Sequence, residues 1–259
     1  MLTLQCHAEL AEAPPQLCDF DMLHYIARTS QKQVLYNNKS IGYTSIMPQR
    51  AYGQYCGFAR ALEVVGERWA LLIIRDLLVG PRRFSDLQHG LPGIPSNILT
   101  GRLRELEEAG LVARRLLPPP SGAIVYELTP VGRELEEPVI SLGRWGAKRL
   151  GDPRPDEIVT EDSMAAALLA TFRPEAAGRA NVSYELRLGE ILVHAQVRNG
   201  KVAVGRGSLP KADLIIEAGP AIRALLAREI TPQEALKKKI VRVKGDPKLL
   251  TRFTQMFQI

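Results

Sequence analysis

Cysteine is scarce in this chain of 259 residues: Cys6, Cys18 and Cys56 are scattered and form no framework of bridges. Such usage fits a reducing cytoplasm better than an oxidising compartment. Long apolar runs are also missing, since none approaches the roughly 20 residues that a helix needs to span a bilayer. The N-terminus lacks the basic-then-apolar order of a secretory leader, so no membrane partner is expected. His7, His24, His89 and His194 are the only histidines and include no pair at metal-ligand spacing. Cys6, His7, Cys18 and His24 do not match the spacing of common zinc fingers. There is no Gly-x-Ser-x-Gly elbow and no glycine loop built to cradle phosphate. Asp213 and Glu217 share a strand but form no carboxylate pair with an evident substrate. The chain is therefore expected to be no enzyme and to need no cofactor or metal.

What remains is an ordinary globular composition, 46% hydrophobic and 24% charged, with a formal net charge of +6 and a pI near 9.3. That excess favours a polyanionic partner, but it is spread along the chain and proves nothing alone. The length favours two compact units. Residues 1–50 show neither helical nor strand period and are read as an extension, with Met47 an alternative start. Residues 51–150 carry the sharpest pattern, 151–160 read as a linker from Gly151 and the Pro153 and Pro155 that follow, and 161–259 read as a second domain. In the first domain, two helices from Cys56 to Leu77 end at Gly80-Pro81. A short helix, Phe84 to His89, and another, Ser96 to Ala109, follow. Strands Leu111 to Leu117 and Ile124 to Leu128 come next, then one long helix from Val131 to Leu150. Trp69, among Leu72, Ile73 and Leu77, reads as core.

The Ser96 helix carries the chemistry. Leu99, Leu103 and Leu106 fall at i, i+4 and i+7 and give one face to the core, leaving Asn97, Thr100, Gly101 and Arg104 on the other. Short hydrogen-bonding side chains, a small residue and arginine are what a helix entering the major groove presents to bases and phosphates. Ser96 is expected as its N-cap. Arg114 and Arg115 on the following strand would bring a two-stranded wing to the DNA backbone. The competing reading is a solvated helix face on which Arg102 and Arg104 pair with Glu105 to Glu108.

The ordered set Cys56-Gly-Phe-Ala-Arg-Ala-Leu62, Gly66-Glu-Arg-Trp-Ala-Leu-Leu-Ile-Ile-Arg75, Gly80-Pro-Arg-Arg-Phe84, Leu91-Pro-Gly-Ile94, Leu99-Thr-Gly-Arg-Leu-Arg-Glu-Leu106 and Tyr126-Glu-Leu-Thr-Pro-Val-Gly-Arg133 resembles the HxlR family of bacterial winged helix-turn-helix regulators. The likeness covers nearly all of Cys56 to Leu150. It implies a homodimer held by the helices that flank the winged domain, bound to a pseudo-palindromic operator in double-stranded DNA. Ser96, Asn97, Thr100, Arg102 and Arg104 are then the expected contacts of the recognition helix, and Arg114 and Arg115 those of the wing. Family members often carry a cysteine at the position of Cys56, and some use it to sense oxidants. A helix start and nearby Arg60 would favour its thiolate, whereas the plainer alternative is a small buried side chain.

Past the linker, a helix from Ser163 to Phe172 is expected, then a meander of strands Val182–Leu188, Ile191–Arg198 and Lys201–Val204, turned at Gly189-Glu190 and Asn199-Gly200. A strand from Ala212, two short helices, a strand at Val241–Val243 and a closing helix complete an α+β half. The order of Ala212-Asp-Leu-Ile-Ile-Glu217, Ala221-Ile-Arg-Ala-Leu-Leu226, Ile230-Thr-Pro-Gln-Glu-Ala235 and Val241-Arg-Val-Lys-Gly-Asp-Pro-Lys-Leu-Leu250 resembles the sterol carrier protein type 2 (SCP2) domain, over roughly Asp162 to Ile259. That resemblance implies helices over a sheet enclosing an apolar tunnel, and hence a hydrophobic small-molecule effector. Phe172, Leu186, Val193, Leu225, Phe253, Met256 and Phe257 are the candidate wall residues. Alternation within the strands fits an apolar tunnel and a filled core equally well, so a domain kept for dimerisation, or a lipid carrier with the winged part as scaffold, stays open.

Overall fold

A computed structural model of the protein describes residues 51–151, 154–219 and 222–259. The expectations placed on residues 1–50, including the zinc set and the alternative start, lie outside these described residues. The first half opens with α1 (Gly57–Val65), α2 (Ala70–Val79), α3 (Phe84–Gly90) and α4 (Ser96–Glu108). Ile73, Ile74 and Leu77 of α2, Leu87 of α3 and Leu99, Leu103 and Leu106 of α4 are all buried in one cluster. Each such side chain contributes roughly 1.5–3 kcal/mol on leaving water. Trp69 packs against this core, at a left-handed φ of 81° just before α2. Phe58 and Leu72, expected on the apolar stripe, are instead exposed, at 73% and 40%.

Strands β1 (Val112–Leu116) and β2 (Ile124–Leu128) form an antiparallel hairpin running from Val112 opposite Leu128 to Leu116 opposite Ile124. The long helix expected after it is broken into α5 (Pro130–Arg133) and α6 (Glu136–Ala147). Pro138 is the reason. A proline within a continuous helix lacks its N–H and drives its ring into the carbonyl four residues back, whereas in a first turn that N–H would be unpaired anyway. The helix therefore restarts two residues before it.

The second half comprises α7 (Glu161–Thr171), α8 (Pro174–Ala177), β3 (Asn181–Leu188), β4 (Ile191–Arg198), β5 (Lys201–Arg206), β6 (Leu214–Ala218), α9 (Ile222–Leu226), α10 (Pro232–Lys237), β7 (Val241–Gly245) and α11 (Lys248–Met256). Its five strands lie in the order β5-β4-β3-β6-β7. The meander is present, and its Asn199-Gly200 turn has positive φ at both residues, 49° and 74°, as a two-residue hairpin matched to strand twist requires. Strand β6 joins β3 in parallel, and β7 closes the far edge antiparallel to β6. Register puts Val193, Leu186 and Ile216 in one row across three strands and Ala195, Tyr184 and Leu214 in the next, all without exposed surface. Leu168 of α7 and Phe253 and Met256 of α11 belong to the same core. The architecture is α+β, a winged helix-turn-helix region followed by a sheet with helices. All described residues belong to one compact unit, in which α7 packs on both α2 and the sheet.

Candidate nucleic-acid interface

Helix α4 is held from behind by Leu99, Leu103 and Leu106, buried to within 1%. A helix anchored by that stripe must turn its opposite face to solvent, and Ser96, Asn97, Thr100 and Arg104 are all exposed there. Ser96 is the first helical residue rather than the cap. Pro95 is the N-cap in extended conformation, with φ −66° and ψ 142°, and the Ser96 carbonyl accepts from Thr100 Oγ1 at 2.8 Å. Arg104 is 71% exposed and meets Glu108 only loosely, at 3.6 Å.

Arg102 does not join this group. Its side chain is 19% exposed and bridges Glu67 at 2.8 Å and Glu105, which ties α4 to the turn between α1 and α2. Its Nε is buried without a hydrogen-bond partner among the described residues. The competing reading, in which Arg102 and Arg104 pair with Glu105 to Glu108, is thus met by Arg102 with Glu105 and, loosely and in solvent, by Arg104 with Glu108.

On the wing, Arg114 donates to both Glu107 oxygens at 2.6 and 2.8 Å and lies 5.7 Å from the Tyr126 ring centroid. Arg115 donates through Nε to both Glu127 oxygens at 2.9 Å. That hydrogen bond from Arg115 holds Glu127 below the usual carboxylate range, despite some desolvation. Both arginines remain about half exposed, at 55% and 45%. A phosphate approaching them would compete with Glu107 and Glu127, so the wing offers cations already partly neutralised.

The geometry adds Arg83, which the sequence reading missed. Arg82 pairs through its backbone with Tyr126 in both directions, N to O at 2.9 and 2.7 Å, and so adds a short third strand to the wing. Side chains alternate along extended backbone, so Arg82 turns inward, 6% exposed, and Arg83 outward, where it donates to Ser121 Oγ of the wing loop at 3.1 Å. The Arg-Arg pair after Gly80-Pro81 was visible, but which member faces out was not.

Cys56 is exposed, which sets aside the buried alternative. It caps α1, and the N–H groups of Ala59 and then Phe58 lower its thiol pKa, although no hydrogen bond of cap geometry forms. Arg60 takes no part, being paired with Glu63 at 2.8 Å.

In the second half, Leu186, Val193, Leu225, Phe253, Met256 and Phe257 have no exposed surface, and Phe172 is 5% exposed. Phe253 and Phe257 stack at 4.7 Å between centroids, with Phe172 5.4 Å from Phe257 and Tyr184 5.1 Å from Phe253. The wall of a cavity that admits water would present surface to it. These residues pack on one another instead. Asp213 accepts from Ser183 N and Oγ at 2.8 and 2.7 Å, and Glu217 pairs with Lys244 at 2.7 Å, so both carboxylates are taken up by strand contacts. Among the described residues, no group of three His, Cys, Asp or Glu is placed to hold a metal, and no helix is long and apolar enough to cross a membrane.

Residues 64–153 match the profile of the HxlR-like helix-turn-helix family. An uncharacterized HTH-type transcriptional regulator of Mycobacterium tuberculosis, Rv3095, is 43% identical over 112 residues, covering 43% of this chain and 68% of that protein. The chain belongs to the HxlR-like helix-turn-helix family. A second relative, the uncharacterized HTH-type transcriptional regulator YvaP of Bacillus subtilis, is 34% identical over 91 residues, 35% of this chain and 84% of that protein. Among solved structures, the redox regulator HypR in its oxidized form is 32% identical and covers 38% of this chain and 100% of its own, with a TM-score of 0.35. Membership makes this chain an HTH-type transcriptional regulator, and DNA binding follows from that class. The family match stops at residue 153, leaving the five-stranded sheet outside it.

Proposed function

We propose that the protein binds a pseudo-palindromic operator as a homodimer, reading bases with α4 and gripping phosphates with the wing. The observation that carries this reading is the division of α4: three leucines lock one face into the core while Ser96, Asn97, Thr100 and Arg104 are exposed on the other, beside a wing bearing Arg114, Arg115 and Arg83. Arg102 belongs to the support of α4. Two copies would present their recognition helices to half-sites one helical turn apart, roughly 34 Å. The dimer is supported by α6, a helix of twelve residues with none buried, whose Leu142 and Trp145 are 51% and 56% exposed, and by Tyr55 and Phe58 around the start of α1. Apolar surface at both flanks of the winged region is what a second copy would cover. Named relatives that are all regulators support a non-enzymatic role, and the carrier alternative is not favoured, because a scaffold needs no row of exposed polar and cationic side chains along α4. A cytoplasmic site of action accords with this role. Exposure and the helix-start N–H groups keep Cys56 a candidate redox sensor.

For the second half we retain the SCP2-like reading, with a hydrophobic small molecule as effector. A five-stranded sheet with helices packed on it supports it, and the packed aromatic cluster sets its condition: Phe253 and Phe257 must part to admit a ligand. Genome-wide immunoprecipitation, repeated with purified protein at two salt concentrations, tests the regulator reading. Discrete palindromic sites bound in a salt-sensitive way are expected, and binding blind to sequence would overturn it. Thermal denaturation with a series of fatty acids tests the effector reading. A saturable rise in Tm supports it, and no rise with any chain length removes it while leaving the regulator intact.

A further inference from the structure

The contact between the two halves is charged and buried. Asp162, in the first turn of α7, is 2% exposed. Its Oδ1 accepts from Arg82 Nε at 2.9 Å and Nη2 at 2.5 Å. Its Oδ2 takes a longer contact from Arg206 Nη1 of β5 at 3.4 Å, and Arg206 Nη2 lies 3.7 Å from Asp86 of α3. Arg82 also donates from Nη1 to the Pro81 carbonyl at 2.9 Å. Gly90 of α3 lies against two carboxylates here: a Cβ on it would meet Asp76 Oδ2 at 2.9 Å and Asp162 Oδ2 at 3.3 Å.

These contacts lead to the DNA-reading elements. Arg82 is the residue whose backbone forms the third wing strand with Tyr126, and its neighbour Arg83 reaches Ser121 in the wing loop. Asp86 also caps α3, accepting from the Arg83 backbone N–H at 3.1 Å, and α3 leads directly into α4. Taking charges out of water is costly, and replacing a buried pair by apolar groups often leaves stability unchanged or raises it. Stability is thus a poor reason for this cluster, and fixed orientation is a better one.

We infer that Asp162 and Arg206 are positioning residues for DNA recognition, through which the C-terminal sheet sets the angle of α3 and the wing by way of Arg82 and Asp86. In this inference they act by holding the parts that touch DNA. The inference rests on α4 and the wing being the DNA-reading surface. It also gives the second half a route to the first that needs no change at the dimer interface, because any movement of α7 or β5 is passed to Arg82.

The test measures, in the full-length protein, affinity for the operator and for unrelated duplex DNA, and takes their ratio. Asp162→Asn removes the charge, and Arg206→Gln breaks the outer contacts. Because loss of one partner from a buried pair can unfold a protein, the double variant Arg82→Met with Asp162→Leu, which leaves no unpaired charge in that pair, is the second arm. Each folded variant is expected to lower the specificity ratio on the order of tenfold, the worth of about one good base contact, while its affinity for unrelated DNA stays near wild type. A purely structural role would lower both affinities together and leave the ratio unchanged, which would overturn the inference. Arg104→Ala is the control: if it too leaves operator affinity unchanged, the DNA-reading surface itself is misassigned, whereas a loss with Arg104→Ala and an unchanged ratio with the folded cluster variants refutes the positioning role alone.

Discussion

Replacing Asp76 by asparagine should change how stability depends on pH. Asp76 lies on α2 without exposed surface; Oδ1 accepts from Arg75 Nε at 2.8 Å, while Oδ2 has no hydrogen-bond partner among the described residues. Burial, joined by the charge of Asp162, pushes its pKa up to about 6 from 3.8, against the pull of Arg75 and Arg82. Because the folded chain holds this proton more tightly than the unfolded chain, the stabilising effect is complete below the unfolded pKa. It is lost as pH rises through the folded one. A rise of about two units corresponds to about 3 kcal/mol lost between roughly pH 4 and pH 6. Asparagine cannot ionise, so the variant should escape that loss. Urea unfolding of both proteins at pH values from 4 to 7.5 reads it directly, and their difference cancels Glu63, Glu127 and Glu185, which titrate alike in both. The difference should grow in favour of Asp76→Asn by up to about 3 kcal/mol through pH 6 and then level off. A difference that stays flat across that range would refute the reasoning, since it would mean that Asp76 is ionised in the fold throughout.

Other outcomes follow from the geometry. Arg104→Ala should weaken operator binding, and Arg114→Ala or Arg115→Ala should each lower the slope of log affinity against log salt by about one unit or less, the wing arginines being partly neutralised by Glu107 and Glu127. Arg102→Ala should leave that slope unchanged in the same titration and cost about 1 kcal/mol of unfolding free energy, because its partners are Glu67 and Glu105. Leu103→Ala, deep behind α4, should cost about 3–5 kcal/mol in urea unfolding and reduce binding only in proportion to the fraction unfolded. Trp145→Glu should shift the protein toward monomer in size-exclusion chromatography with light scattering; an unchanged dimer would place the interface elsewhere.

Much of this was legible in the residues. The 3.6-residue recurrence of Leu99, Leu103 and Leu106 fixed both the existence of α4 and the face it buries. The Asn199-Gly200 pair marked its hairpin because only residues that tolerate positive φ fit such a turn. Family motifs from Cys56 to Arg133 identified the regulator. Less was legible where the decision lay between neighbours of one type: Arg102 and Arg104 sit on the same helix with glutamates in reach of both, and only the position of Glu67 across the α1–α2 turn takes Arg102 out of the exposed face. Arg82 and Arg83 differ in the same way.

The sequence by itself determined the elements that depend on short-range pattern: most of the helices, the wing and the meander; the break before Pro138 is just as local, but the pattern from Val131 to Leu150 was read through it as one long helix. Whether the apolar face of the sheet closes on itself, as Phe253, Phe257 and Tyr184 do, was decided only by tertiary packing, because an alternating strand has the same pattern over a filled core as over a cavity. The burial of Arg82, Asp76 and Asp162 at one spot was decided there as well. These residues are separated by as many as eighty-six positions in the chain, and no local pattern reports which distant charges will meet once two cores pack together.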